Sequence, residues 1–241
     1  MTTQRMPLAA VSPVRGATRP AVLRPWVPWL ARLVRCTACW GLLAPAAALC
    51  ASAQIDGLLQ RLARPAPSST PFVEAHFSQL LAHPLVVSGK LEYLGKDALA
   101  RSVEAPYHER SEIRGDTVSL QRESQPARTF SLQRAPELRS LRASFAALLA
   151  GDRATLEEQF TLDLHGDDAN WTLGLTPRDP HVLEHIRSVL VFGSNSEPHC
   201  LVTFEANDNT TILLLGSAAR ASLPSMPDRA WFDEQCHKPQ K

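Results

Sequence analysis

The run "PFVEAHFSQLLAHPLVVSGKLEYLGKDALARSVEAPYHE", residues 71–109, decides the fold class. Apolar and polar residues alternate through it with period two, the pattern of strands that bury one face. In the first strand, expected over residues 72–81, Phe72, Glu74 and His76 share one face and Val73, Ala75 and Phe77 the other. His83-Pro84 makes a turn. Val87, Gly89, Leu91 and Tyr93 then stand opposite Ser88, Lys90 and Glu92. Gly95-Lys96-Asp97 turns the chain again. Leu99, Arg101 and Val103 share a face before Ala105-Pro106 breaks the strand.

The same grammar continues outward. Residues 107–114 and 117–122 form a hairpin around Gly115-Asp116, and 128–132 adds another strand. The period then changes. In "PELRSLRASFAALLAGD", Leu138, Leu141, Phe145, Leu148 and Leu149 recur at helical spacing, with Pro136 at the start and Gly151 at the stop. This predicts an amphipathic helix over 137–150, which "TLEEQF" extends or restarts. Strands resume at 160–165, 170–177, 186–193, 198–206 and 210–217, with a short helix at 180–185 and a turn at Asn207-Asp208-Asn209. Upstream, "IDGLLQRLA" puts Ile55, Leu58, Leu59 and Leu62 on one helical face, and Pro65 and Pro67 end that helix. The expected class is α+β, an antiparallel meander of about ten or eleven strands whose apolar face the amphipathic helix covers. The Pro-broken tail, 218–241, is expected to be ordered only in part.

The first 53 residues contain six Arg and no Asp or Glu, followed by a short apolar run and the small-residue site Ala51-Ser52-Ala53. This is the build of a signal peptide with an extended basic N-terminus, cleaved after residue 53 to leave a sheet domain at 54–217. The alternative is an uncleaved inner-membrane anchor. Leu49 is too large for the position before a lipidated Cys50. Cleavage removes six of 25 basic residues and none of 24 acids, leaving 19 − 24 = −5, which argues against a nucleic-acid surface. Cys200 and Cys236 remain in an exported, disulfide-permissive setting; they either pair, tying the tail to the sheet, or stay as free thiols.

The search for chemistry returns little. There is no nucleophile elbow, phosphate loop or His-Glu-x-x-His. His181 and His185, four apart, could share a helical face, but they read as solvated side chains with no third ligand nearby. Glu157-Glu158 and Asp167-Asp168 sit at a helix end and a turn and read as solvated acids. No catalytic residue, metal or cofactor is expected.

The order of these features resembles the outer-membrane lipoprotein carrier protein (LolA) family, and more closely its divergent LolA-related branch. Phe72 and Phe77 stand in the first strand. Ser88-Gly89-Lys90-Leu91, Pro106 and Gly115-Asp116 follow in order, and Trp171-Thr172-Leu173 and Leu175-Thr176-Pro177 match the second half. The resemblance spans about residues 55–217. It implies a sheet curled into an unclosed barrel, with helices as a lid over an apolar concavity. It also implies a monomeric, non-catalytic periplasmic carrier that shields acyl chains in transit. An inner-membrane transporter would be donor and an outer-membrane protein acceptor. Phe77, Val87, Leu91, Tyr93, Leu99, Val103, Leu141, Phe145, Leu148, Trp171 and Leu173 are the expected lining. One departure stands out. Where the lipoprotein carriers have a Lys-Arg-Pro turn whose Arg helps latch the lid, this chain has "LGKDAL", with Gly95 at the Arg position and Lys96 beside it. Lys lacks the guanidinium fork, so the cargo implied by the resemblance widens from a lipoprotein to a lipoprotein or another lipophile. A scaffold with a filled core, or an enzyme on the same sheet, are the alternatives.

Overall fold

The computed structural model describes residues 46–95, 98–123, 125–134 and 146–238. Helix α1 (Ala46–Leu62) runs through the expected cleavage site and leads into β1 (Ser68–Phe77). A meander follows: β2 (Leu85–Gly95), β3 (Ala98–Ala105), β4 (Glu109–Arg114), β5 (Thr117–Arg122) and β6 (Arg128–Ser131). Helical residues 146–150 and α2 (Arg153–Gln159) precede a second meander. It comprises β7 (Phe160–Gly166), β8 (Trp171–Pro177), the single turn α3 (Pro180–Leu183), β9 (Ile186–Ser194), β10 (Glu197–Glu205) and β11 (Thr210–Leu215). Helix α4 (Arg229–His237) closes the described chain.

The strands form one antiparallel sheet in the order β6-β5-β4-β3-β2-β1-β11-β10-β9-β8-β7. β1 pairs with β11 and so joins the two meanders, Phe72 opposite Leu215 and Phe77 opposite Thr210. β6 and β7 are the two edges, so the sheet is curled but unclosed, as expected. Every strand of the sequence reading is present. β1, however, stops at Phe77 rather than at residue 81. The reason is local: the Ser78 hydroxyl accepts from the Leu80 amide at 3.3 Å and its carbonyl from the Leu81 amide at 3.1 Å, closing a turn.

Both faces carry a core. On the inner face, Leu58, Leu59 and Leu62 of α1, Leu148, and Leu156 of α2 pack on Phe72, Phe160, Trp171, Leu173, Val189 and Val191. On the outer face, Val73, Ala75, Val202, Ile212 and Leu214 lie beneath Phe232 of α4. Burying each such side chain contributes roughly 1.5–3 kcal/mol. Gly151 terminates the helical turn at φ +69°, and its missing Cβ leaves room for the Leu59 carbonyl 3.0 Å from where that atom would sit. Asp152 then caps α2, accepting from the Thr155 amide.

The tail departs from expectation. Asp228 accepts from the Trp231 amide and starts α4, which buries Phe232, Gln235 and Cys236 against the sheet. Cys236 is bonded to Cys200 of β10, so of the two alternatives for these cysteines the structure has the pair.

Candidate ligand face

One core cluster runs under both halves of the inner face, and the half over the first meander also carries a row of charges. Over the second meander the face is packed solid. Trp171 is 3% exposed and donates its indole N–H to the Asn195 carbonyl at 3.2 Å. Its ring lies across Gly193, the residue opposite it in register, where an added Cβ would meet the indole at 2.0 Å. Leu173 and Leu148 are buried in the same cluster. These three expected lining residues are therefore core beneath the helices.

Over the first meander the register aligns Tyr93, Leu99, Ile113, Val118 and Phe130 in one row across five strands. Val87, Leu91 and Val103 belong to the inner core cluster. Five expected lining residues, Val87, Leu91, Tyr93, Leu99 and Val103, thus share this face. Phe77 does not. It lies on the outer face and meets the Phe232 ring edge-on at 5.8 Å, because strand alternation sends it with Val73 and Ala75 under α4. Lys96, Leu141 and Phe145 lie outside the described residues. Among the described residues, hollows elsewhere include one of about 450 Å³ at the β1–β2 turn and the start of α4, and one of about 180 Å³ between α1 and the end of β7.

A row of charges crosses the same apolar face, and no site expectation from the sequence included it. Arg101 of β3 donates from Nη2 to Glu74 Oε1 of β1 at 2.8 Å, spanning β2. Its guanidinium lies 4.9 Å from the centre of the Phe72 ring. On its other side, Nη1 is 4.0 Å from Glu109, which accepts from Arg122 Nε at 2.5 Å. That hydrogen bond, reinforced by charge, raises the Arg122 pKa. Gly89 makes the crossing workable. It stands between Phe72 and Val103 in register and has no side chain, so Arg101 reaches across β2. A Cβ there would meet the Ser102 carbonyl at 1.8 Å, at the bulge where β2 and β3 shift register.

The outer face of this meander is ordinary solvated surface. Lys90 pairs with Glu104 at 3.0 Å, and Arg110 with Glu92 at 2.5 Å. Arg114 hydrogen-bonds Glu112 and lowers its pKa. Such exposed pairs stabilise little. His181 and His185 are exposed, and among the described residues no three metal-binding side chains cluster. Glu157 pairs with Arg153 and Asp168 with Arg61, consistent with structural roles for these acids.

An open antiparallel sheet with helices on its inner face is the fold of the lipoprotein-carrier class. A family model described as outer membrane lipoprotein carrier protein LolA-like matches residues 46–239, and the chain belongs to that family. Solved structures similar to it include a LolA superfamily protein from Nitrosomonas europaea, at 13% identity and TM-score 0.40, covering 69% of this chain and 91% of that one. A putative outer membrane lipoprotein-sorting protein domain from Vibrio parahaemolyticus has 10% identity, TM-score 0.36, and coverage of 75% and 95%. LprF from Mycobacterium bovis has 10% identity, TM-score 0.32, and coverage of 73% and 97%. No curated protein matches the chain.

Proposed function

We propose that this protein is a non-catalytic periplasmic carrier that shields the acyl chains of a lipoprotein or another lipophile during transfer towards the outer membrane. The observation that carries the reading is the inner face of the first meander. There, Val87, Leu91, Tyr93, Leu99 and Val103 align on an open-edged sheet in a chain of the LolA-like family. An acyl chain in water forgoes roughly 0.8 kcal/mol per CH₂, and an apolar face recovers it without covalent chemistry. Export by a cleaved signal peptide accords with the Cys200–Cys236 bond, which needs an oxidising compartment. Cargo would be received from an inner-membrane transporter and passed to an outer-membrane acceptor by the monomer.

The packed second half favours one other reading, an interaction module with a filled core. Native mass spectrometry of the exported protein, purified from its own host without detergent, separates the two. The carrier retains a lipophile, and a protein that neither retains one nor takes up a fatty-acyl probe is not a carrier. Leu91→Asp or Leu99→Asp, on the inner face, should abolish uptake. Phe77→Ala, on the outer face, should weaken stability and leave uptake intact.

A further inference from the structure

We infer that the inner face of the first meander recognises an amphiphile with an anionic head, and that Arg101 is the head-group ligand. The inference rests on the carrier reading and names the class of cargo. A face that took only hydrocarbon would be served as well, or better, by apolar residues. Replacing a buried ion-pair array with well-packed apolar side chains is often neutral or stabilising. Yet Arg101 and Glu74 sit here with side chains 27% exposed, and Glu109 with 10%.

Arg101 is partly exposed and lies between two carboxylates, Glu74 and Glu109. Its guanidinium carries five N–H donors in a rigid fork. Among the described residues one of them, on Nη2, is engaged, by Glu74. Nη1 stands 4.0 Å from Glu109, beyond hydrogen-bond reach, because Arg122 holds that carboxylate from the other side. Phe72 backs the guanidinium plane. A planar fork whose remaining N–H groups stay accessible, stacked on an aromatic ring beside apolar side chains, suits a carboxylate or phosphate joined to an acyl tail.

Charge complementarity points the same way. Residues 54–241 carry 19 basic and 24 acidic side chains, a surplus of acid. The inner face of β1–β6 reverses that balance. By register, Arg101, Arg122 and Arg128 share it with Glu74 and Glu109. Arg122 ends β5 and Arg128 begins the edge strand β6, where a head group would enter.

The test is equilibrium dialysis of the oxidised exported protein with radiolabelled dodecanoate, dodecanol and butyrate at about pH 7.5. The inference expects dodecanoate to bind about tenfold more tightly than dodecanol. Arg101→Met should abolish that preference while dodecanol affinity holds, and Arg101→Lys should restore part of it. Glu74→Gln, which frees the guanidinium, should strengthen dodecanoate binding, so the test survives even if Arg101→Met folds poorly. Equal affinity for dodecanoate and dodecanol in the native chain would overturn this inference and leave the carrier reading standing. Butyrate binding as tightly as dodecanoate would mark a free-anion site and overturn it too. If neither twelve-carbon ligand binds, the carrier reading fails with it.

Discussion

Removing the disulfide should reveal how much the tail contributes. Cys200 and Cys236 are 36 residues apart, and cross-linking such a loop removes about 13 cal/mol/K of chain entropy from the unfolded state. At 25 °C that is roughly 3.8 kcal/mol, which in a domain of this size moves the melting temperature by roughly 8–15 °C. The sulfurs are buried between β10 and α4, so the comparison should use Cys200→Ala/Cys236→Ala, which leaves no thiol to ionise. Urea unfolding of oxidised protein and double variant measures the difference. The expected result is a lower midpoint, with a somewhat steeper slope as the freed denatured state expands. Hydrogen exchange adds the local picture. Phe232 is fully buried, but only through α4, so α4 amides should lose protection first in the variant. A difference under about 1 kcal/mol, with α4 equally protected, would refute the claim that this bond holds the tail to the sheet. So would two titratable thiols in the denatured exported protein.

Two further outcomes follow from the geometry. Gly193→Val places carbon where the Trp171 indole lies, 2.0 Å from the Cβ position; the ring must leave and lose its bond to Asn195. A loss of about 1–3 kcal/mol in urea unfolding is expected, and an unchanged midpoint would contradict this packing. His199 donates from Nε2 to the Cys236 carbonyl at 2.9 Å while buried Nδ1 has no partner among the described residues, and burial lowers its pKa. The unfolded chain therefore takes up the proton first as pH falls. Stability should be full above the ordinary histidine value of about 6.5 and decline below it, down to the lowered folded value. His199→Phe should flatten the pH profile between pH 7 and 5, and an unchanged slope would exclude His199 as its source.

Much of this fold could be read from residue order, because period-two alternation is a local signal, even where, as over residues 72–81, it is loose. What escaped reading were long-range partners. Helix α4 was hidden behind Pro224 and Pro227, although Asp228 is a good N-cap and Phe232 and Cys236 are spaced i, i+4. Without α4 the outer face of β1 looked like surface. An apolar residue there, Phe77, was then drawn to the wrong side of the sheet, even though alternation alone had grouped it with Val73 and Ala75.

Arg101 shows the limit more sharply. The alternation Leu99, Arg101, Val103 places it on the inner face from sequence alone. Read locally, it is a lone charge interrupting an apolar row, which a solvated rim would explain. Its meaning depends on Glu74, 27 positions away and two strands over, and on the bare lane at Gly89 that lets the side chain cross. Neither spacing nor propensity encodes that lane; only the β1–β2–β3 register does. In the sequence, Ser88-Gly89-Lys90-Leu91 belongs to the outline by which the chain resembles the LolA family. In the folded chain Gly89 has two physical tasks: it admits the Ser102 carbonyl at the bulge, and it opens the path by which a guanidinium reaches the ring of Phe72. The departure at Gly95 and Lys96 had left the nature of the cargo open. As the inferred head-group ligand, Arg101 narrows it to an anionic amphiphile, because a guanidinium fork pairs with carboxylate or phosphate.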